Sequence, residues 1–529
     1  MKKNILLNSV ILTVILLVFL KIDFRFQETV YCCGDDHDYY MHAETIGVDF
    51  DLDYKNQLLG NESKRYNFNN KIAPTGFIGS GLLASPFVLL GHTLDKLVSS
   101  ENNLSSDILN FRFLLYSLSS VFYLFATLYL TFEILKKLKF NFSKYEVLLI
   151  YFGSGVVYYA FERFSMTHVY EVFCCTLIIY LALNFYTSTN KDIYAFLLPL
   201  FIAVGLSVRW VNYFYFLLPI FTKLLIYKNT KSGNSLLKNK YFYISSLLSG
   251  FIFMLHTNVL YGTYTFNPQF VYRTGGNVSS FITRDGNIVN FFQTNIVNLF
   301  KILFSQEFGL FWFSPIIFIG LILGIYNLFL NSERTLFFNL LVIFSFIQIF
   351  LVVLLWRSTA SSYGFRYLFS LIPISILLYY QFQSTNKNKV LSNYLIAFSI
   401  FATLSVLFFE TTQGTQLALT ETENTFGRTL KYTQPLYLEG YIKSFLEINS
   451  YLKIFTTSFL GAIVFKLILI FIDVESLFEL LGNLGLPISN QDFVEYISEV
   501  DLIGIDKFLI IFSICFLLSM QMSKKLLSR

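Results

Sequence analysis

Residues 34–53 hold the densest run of groups able to do acid–base or ligand chemistry: Gly34-Asp35-Asp36-His37-Asp38-Tyr39-Tyr40-Met41-His42-Ala43-Glu44, then Asp49-Phe50-Asp51-Leu52-Asp53. Three readings compete. The first is a solvated acidic loop, which needs no further partner. The second is a metal site, because Asp49, Asp51 and Asp53 open like a calcium loop. Position six of such a loop must turn on glycine and is Tyr54 here; position twelve must supply a bidentate glutamate and is Gly60. An EF-hand is excluded, and the need for a divalent cation stays open. The third reading is one carboxylate acting as general base, which requires surroundings that control its ionisation.

Further polar groups stand between apolar runs: Glu162-Arg163-Phe164-Ser165-Met166-Thr167-His168, Arg209-Trp210-Val211-Asn212, His256-Thr257-Asn258 and Gly364-Phe365-Arg366-Tyr367. Each alone is weak. An arginine at the end of an apolar run commonly snorkels to the interface. What gives the set meaning is whether the chain brings its members to one level, so the elements that carry them decide the matter.

Of 529 residues, 55% are hydrophobic, 19% aromatic and 14% charged, against about 25% charged in soluble domains. The apolar residues come in blocks of roughly 15–25, long enough to cross about 30 Å of hydrocarbon as helices. They lack the two-residue alternation of a membrane β-barrel. A net charge of +5 gives no basic patch for nucleic acid. Five cysteines, with Cys32–Cys33 and Cys174–Cys175 adjacent, do not make a disulfide framework. The fold class is an all-α polytopic membrane protein.

Spans are expected near residues 4–20, 108–135, 145–160, 169–187, 194–208, 211–227, 241–260, 308–330, 335–356, 366–382, 390–409, 452–472 and 506–523. No small-residue cleavage site follows the first, which reads as a retained helix rather than a signal peptide. Counting from a cytoplasmic start places Lys136, Lys137, Lys139 and Lys144, then Lys223 to Lys240, then Lys387 and Lys389, in short inner loops, as the positive-inside rule asks. Lys524 and Lys525 fall on the wrong side of this count, which leaves the last two spans open. Residues 72–97, interrupted by Gly79, Gly81, Pro86 and Gly91, are taken as a segment lying along the outer surface. The first outer loop then runs over about 23–107, and others over 261–306 and 410–451. Asp49-Phe50-Asp51 matches the short D-x-D of nucleotide-sugar transferases, but that motif needs a soluble α/β domain and a cytoplasmic donor, so it is set aside. Under this count the acidic run, the histidine and three arginines reach the same outer level.

In the order and spacing of these pieces over about residues 1–410 the chain resembles the glycosyltransferase C superfamily. These are polytopic enzymes that use polyprenyl-phosphate sugars, among them protein O-mannosyltransferases and the lipid A aminoarabinose transferase. The matching pieces are Gly34-Asp35-Asp36-x-Asp38-Tyr39-Tyr40, Asp49-x-Asp51-x-Asp53, Lys71 through Pro86, and Ser165-Met166-Thr167-His168. They continue with Gly205 to Asn212, Leu303 to Phe311, and Ser362-Tyr363-Gly364-Phe365-Arg366-Tyr367. The family's acidic motif is commonly Asp-Glu or Asp-Gly; here it is Asp-Asp-His-Asp. Nothing beyond residue 410 matches, so residues 1–410 stand as a catalytic module and 411–529 as an outer loop with C-terminal helices of open topology.

The resemblance implies a bundle of about 11–13 transmembrane helices whose long first outer loop contains juxtamembrane helices. It implies transfer of a sugar from a polyprenyl-phosphate donor to an acceptor hydroxyl or amine on lipid, glycan or protein, with inversion, at the extracytoplasmic face of a bacterial inner membrane. The phosphate leaving group departs without a proton, so one carboxylate suffices, unlike the paired acid and base of a glycosidase. Its charge suits arginine forks. Asp36 is then the base, with Asp35 or Asp38 as alternatives. Arg209, Arg366 and Arg163 hold the donor phosphate, and His168, Glu162, Asp49 and Asp51 position acceptor or sugar. The rivals are a lipid-linked saccharide flippase or solute transporter, and a glycan polymerase or ligase.

Overall fold

The computed structural model describes residues 2–21, 33–58, 67–98, 110–209, 236–268, 288–328, 335–356, 363–386, 388–411, 438–483 and 504–528, with isolated positions between them. The expected span at 211–227 and most of the expected outer loop at 410–451 lie outside these residues, as do Cys32, Trp210 and Val211.

The described chain is helical apart from a two-stranded antiparallel hairpin, β1 (Asn67–Phe68) and β2 (Lys71–Ile72). The helices are α1 (Lys2–Phe19), α2 (Cys33–Glu44), α3 (Ile78–Val98), α4 (Phe111–Lys137), α5 (Lys144–Phe152), α6 (Val156–Phe161), α7 (His168–Thr187) and α8 (Lys191–Val208). Then come α9 (Lys240–Tyr261), α10 (Ile288–Phe304), α11 (Leu310–Phe313), α12 (Pro315–Leu328), α13 (Thr335–Trp356), α14 (Ile372–Asn386) and α15 (Lys389–Thr411). The last are α16 (Leu438–Leu446), α17 (Ile448–Thr456), α18 (Phe459–Ile468), α19 (Val474–Asn483) and α20 (Ile505–Leu527). Six of them, in α4, α7, α8, α9, α15 and α20, are long and apolar enough to cross a membrane. This is an all-α polytopic membrane protein.

Several expected spans are broken where the local chemistry asks for it. The 145–160 stretch divides into α5 and α6 at Gly153-Ser154-Gly155, where Gly155 takes a φ of +47° that other residues rarely adopt. The 308–330 stretch divides at Ser314, and 366–382 opens as a 3-10 turn over Arg366–Leu371 before α14.

The 452–472 stretch is the one that changes the topology. It was expected to cross, yet it forms α17 and α18, of 9 and 10 residues, separated at Thr457-Ser458, where Ser458 caps α18 by accepting from Gly461 N at 3.0 Å. Ten helical residues rise about 15 Å, half the hydrocarbon thickness. Both ends of α18 stay at one end of the bundle. Phe459 N donates to Leu20 O at 2.9 Å beside the last turn of α1, and Lys466 reaches Val500 O at 3.3 Å and sits over the Phe508 ring at the start of α20.

With one crossing removed, the tail returns to the basic end. Lys525 pairs with Glu133, and Lys144 Nζ donates to Lys525 O at 2.7 Å. Asn8 donates to the Tyr145 hydroxyl at 2.8 Å, which brings the start of α1 to the same end.

The opposite end is assembled from the first long loop. Asp95, near the end of α3, accepts from Phe111 N at 2.6 Å and Arg112 N at 3.1 Å, capping the exposed amides of α4. Arg112 pairs with Glu44 of α2 at 2.8 Å. The glycines of residues 72–97 do not interrupt the helix; they let it pack. A Cβ at Gly81 would lie 2.4 Å from His42 Cβ in α2, and one at Gly79 2.4 Å from the backbone of Ser207 and Val208 in α8. Small residues at such contacts are how membrane helices approach closely.

Candidate active site

α2 presents Asp35 and Asp36 in its first turn, where unpaired amides and the helix dipole favour negative charge. Successive helical residues point about 100° apart, so the three aspartates face different neighbours. Asp36 turns inward and is 1% exposed; Arg163, 3% exposed, donates to its Oδ2 from Nη2 at 3.1 Å and Nε at 3.3 Å. Burial holds the Asp36 carboxyl above the ordinary carboxylate range, opposed by the Arg163 charge and by hydrogen bonds from Ser165 and Arg163. Asp38 is also buried and accepts from Thr75 N at 3.3 Å and from the Thr75 hydroxyl. Asp35 faces outward and is exposed.

Arg163 and Ser165 lie in the irregular link between α6 and α7, and His168 opens α7. Arg209, directly after α8, donates from Nη1 to His168 Nδ1 at 3.0 Å and lies 3.5 Å from Glu171 Oε2. The same Nδ1 lies 3.4 Å from Glu171 Oε2, so it accepts from the arginine or donates to the carboxylate according to the ring's tautomer. Glu171 is fully buried one turn along from His168, with Asn212 and Ser370 against the same carboxylate.

The Tyr367 ring closes the set. Arg209 and Arg366 each place their guanidinium carbon 5.2 Å from its centroid, and Arg366 Nη2 donates to its hydroxyl at 3.3 Å. The charges of Asp35, Arg209 and Arg366 all bear on Tyr367. Those of Asp35, Arg209, Asp38 and Arg366 also bear on Tyr39, whose hydroxyl is pushed up chiefly by burial.

The structure thus brings Asp35, Asp36, Asp38, Arg163, His168, Arg209 and Arg366 together at the end of the bundle opposite the basic loops. Glu162, at the C-terminal end of α6, is fully buried. Asp49 and Asp51 are spent locally. Asp49 Oδ2 accepts from the side chains of Asn56 at 2.8 Å and Gln57 at 2.5 Å, and Asp51 Oδ1 accepts from Asp53 N at 3.0 Å. Among the described residues no group of three His, Cys, Asp or Glu could hold a metal ion. Sequence reasoning passed over Tyr39, Glu171 and Tyr367. Tyr39 and Tyr367 stood in the quoted motifs without a role, and Glu171 left a signal as a carboxylate in an apolar helix three residues after a histidine, on the same face.

No protein-family model matches the chain, and no curated protein matches it. Among solved structures, the chain is similar to the archaeal oligosaccharyltransferase AglB from Archaeoglobus fulgidus, in complex with an inhibitory peptide and a dolichol-phosphate. The TM-score is 0.37 and the identity 12%, over 83% of this chain and 57% of that one. This chain therefore spans little more than half the length of that protein.

A second feature adjoins the charged cluster. An apolar groove of about 680 Å³ runs between α3, α8 and α9, lined by Ile78, Leu82, Val204, Ser207, Ile252 and Phe253 among others. Ser207, which lines it, stands two residues before Arg209. Asp51 lines this groove rather than the charged cluster.

Proposed function

We propose that this chain is a membrane glycosyltransferase that takes a sugar from a polyprenyl-phosphate donor and passes it to an acceptor hydroxyl or amine. The observation that carries the reading is the meeting of exposed Asp35 with Arg209 and Arg366 around Tyr367. In this reading the two guanidinium groups neutralise the departing phosphate, and Asp35 takes the proton from the acceptor. Preorganised charge in a water-poor site stabilises a developing anion more than bulk water does.

Two roles shift from the expectation. Asp36 is buried against Arg163 and Ser165, and Asp38 against Thr75, whereas Asp35 is exposed. Arg163 in turn is engaged in anchoring α2. His168 and Glu171 orient Arg209 from behind. The groove lined by Ser207 offers the donor's isoprenoid an apolar path along α8, the helix that Arg209 directly follows. Transport is supported less well, because transporters gather their charges at broken helices near the bilayer midplane, whereas here they gather at one end. The active face is extracytoplasmic in this reading, since the basic loops lie at the other end.

The test is purified protein in nanodiscs with a panel of polyprenyl-phosphate sugars, following release of polyprenyl phosphate. One donor is expected to be consumed by the wild type, and its consumption to fall by about 10²–10⁴ in Asp35→Asn, the usual contribution of a general base. Consumption of no donor, or an Asp35→Asn variant as active as the wild type, overturns the assignment.

A further inference from the structure

At the basic end, two hollows meet at Lys525 and Ser528. One is an apolar groove of about 710 Å³ between α4, α7 and α20, lined by Phe122, Phe125, Ala126, Phe173, Leu177 and Met522 among others. Its volume falls within the about 300–1,000 Å³ typical of small-molecule sites. The other, of about 460 Å³, is polar and carries Lys136, Lys144 and Lys525 with Glu133. Lys524 lies on the rim of the apolar groove. Four lysines thus stand against one glutamate where an apolar channel opens.

The internal pairing accounts for only part of this charge. Glu133 neutralises Lys525, and Lys144 caps the last carbonyls of α20 by donating to Lys525 O and Ser528 O. Lys136 and Lys524 are exposed at the rim. Basic pockets between membrane helices are suited to anionic headgroups, and a groove that joins such a pocket to an apolar channel matches a molecule with a phosphate at one end and a hydrocarbon chain at the other. We infer that this bipartite hollow is a binding site for an anionic phospholipid of the leaflet at the basic end, with the phosphate among Lys136, Lys524 and Lys525 and an acyl chain along Phe122, Phe125 and Leu177. The lipid fastens α20 to α4 and α7. It lies at the far end of the bundle from Asp35, so the inference stands independently of the transferase reading.

The experiment is native mass spectrometry of the full chain released from mixed micelles holding equal amounts of phosphatidylglycerol and phosphatidylcholine. The wild type is expected to retain phosphatidylglycerol at least fivefold over phosphatidylcholine. Lys136→Gln/Lys524→Gln, at exposed positions where folding is insensitive, is expected to lose that preference. Ala126→Trp, which fills the groove and leaves every lysine in place, is expected to lose retention of both lipids. Thermal midpoints in micelles should rise with phosphatidylglycerol and not with inorganic phosphate, whose equal effect would indicate a headgroup site alone and overturn the inference. Equal retention of the two lipids by the wild type, or unchanged preference in the double lysine variant, overturns it as well.

Discussion

Asp35 and Asp36 are neighbours in sequence with opposite situations, and substitutions separate them. Asp36→Asn leaves Arg163 buried beside a neutral amide. Breaking one side of a buried ion pair costs about 3–5 kcal/mol, so the thermal midpoint should fall clearly whatever happens to turnover. Asp35→Asn is at an exposed position, where surface substitutions usually stay within about 0.5 kcal/mol; the midpoint should hold while donor consumption collapses. Calorimetry beside the donor assay reads both. If Asp36→Asn keeps its midpoint and loses activity, the roles are reversed. For the phosphate, Arg366→Lys keeps the charge and loses the planar fork. Donor KM should rise by about tenfold or more, and an unchanged KM in Arg366→Ala would remove Arg366 from the donor site.

His42 carries the pH dependence that the same scale offers. Its Nδ1 lies 2.6 Å from the Tyr54 hydroxyl and its Nε2 3.1 Å from Gly76 O. The neutral ring satisfies both, donating from Nε2 and accepting at Nδ1. Burial, the larger cause, lowers its pKa from 6.5 to about 4. Below about pH 6.5 the unfolded chain binds a proton that the native chain refuses until about pH 4, so stability falls as pH drops through that window. The full loss is on the order of 3 kcal/mol. Midpoints measured from pH 7.5 to pH 4 should drop less steeply in His42→Gln than in the wild type; parallel curves would show that His42 contributes nothing.

At the scale of elements, α3 shows what a close packing site demands. Gly81 faces His42 and Ala43 across a gap with no room for a methyl group. Gly81→Ala should push α3 from α2, shift the Asp38–Thr75 contact and lower the midpoint by several degrees; the overpacking cost is typically about 1–3 kcal/mol. An unchanged midpoint would mean that the two helices separate freely. Legibility in the sequence divides along similar lines. Long apolar runs such as 169–187 and 390–409 were readable because length and hydropathy are summed over many residues, and single errors average out. Residues 72–97 were read as interrupted, whereas Ile78–Val98 forms one helix, since glycine lowers helix propensity and sequence alone does not show the partner backbone that rewards its absence of a side chain. The acidic run was readable as a candidate site, whereas which of Asp35, Asp36 and Asp38 stays exposed was not. That choice depends on the rotation of α2 about its axis, which Arg163 and Thr75 set from 127 and 37 residues away.

For the whole molecule, the decisive correction is that 452–472 turns back. The lysine count pointed to an error in the last two spans, and a run of apolar residues long enough to cross hid a serine cap at Ser458. Cysteine labelling in intact membranes checks the result. Lys139→Cys and Lys524→Cys should react from one side, Asp35→Cys and Ser476→Cys from the other. Labelling of Ser476→Cys from the Lys139 side, with Lys524→Cys from the Asp35 side, would restore the rejected crossing.

The hydrogen bond from Phe459 to Leu20 and the packing of α1 on α20 join segments far apart in the sequence. During synthesis α1 is threaded into the bilayer long before its partner α20 is made. The acidic helix that follows α1 is thus tethered at one side to a segment lacking its permanent support until α20 has been made. A nascent chain stopped after residue 447 would carry every proposed reacting group and still leave α1 loosely held. Residues 448–528 therefore act as a seal on the acidic end, and such a truncated product should be cleared by membrane proteases faster than the chain that includes them.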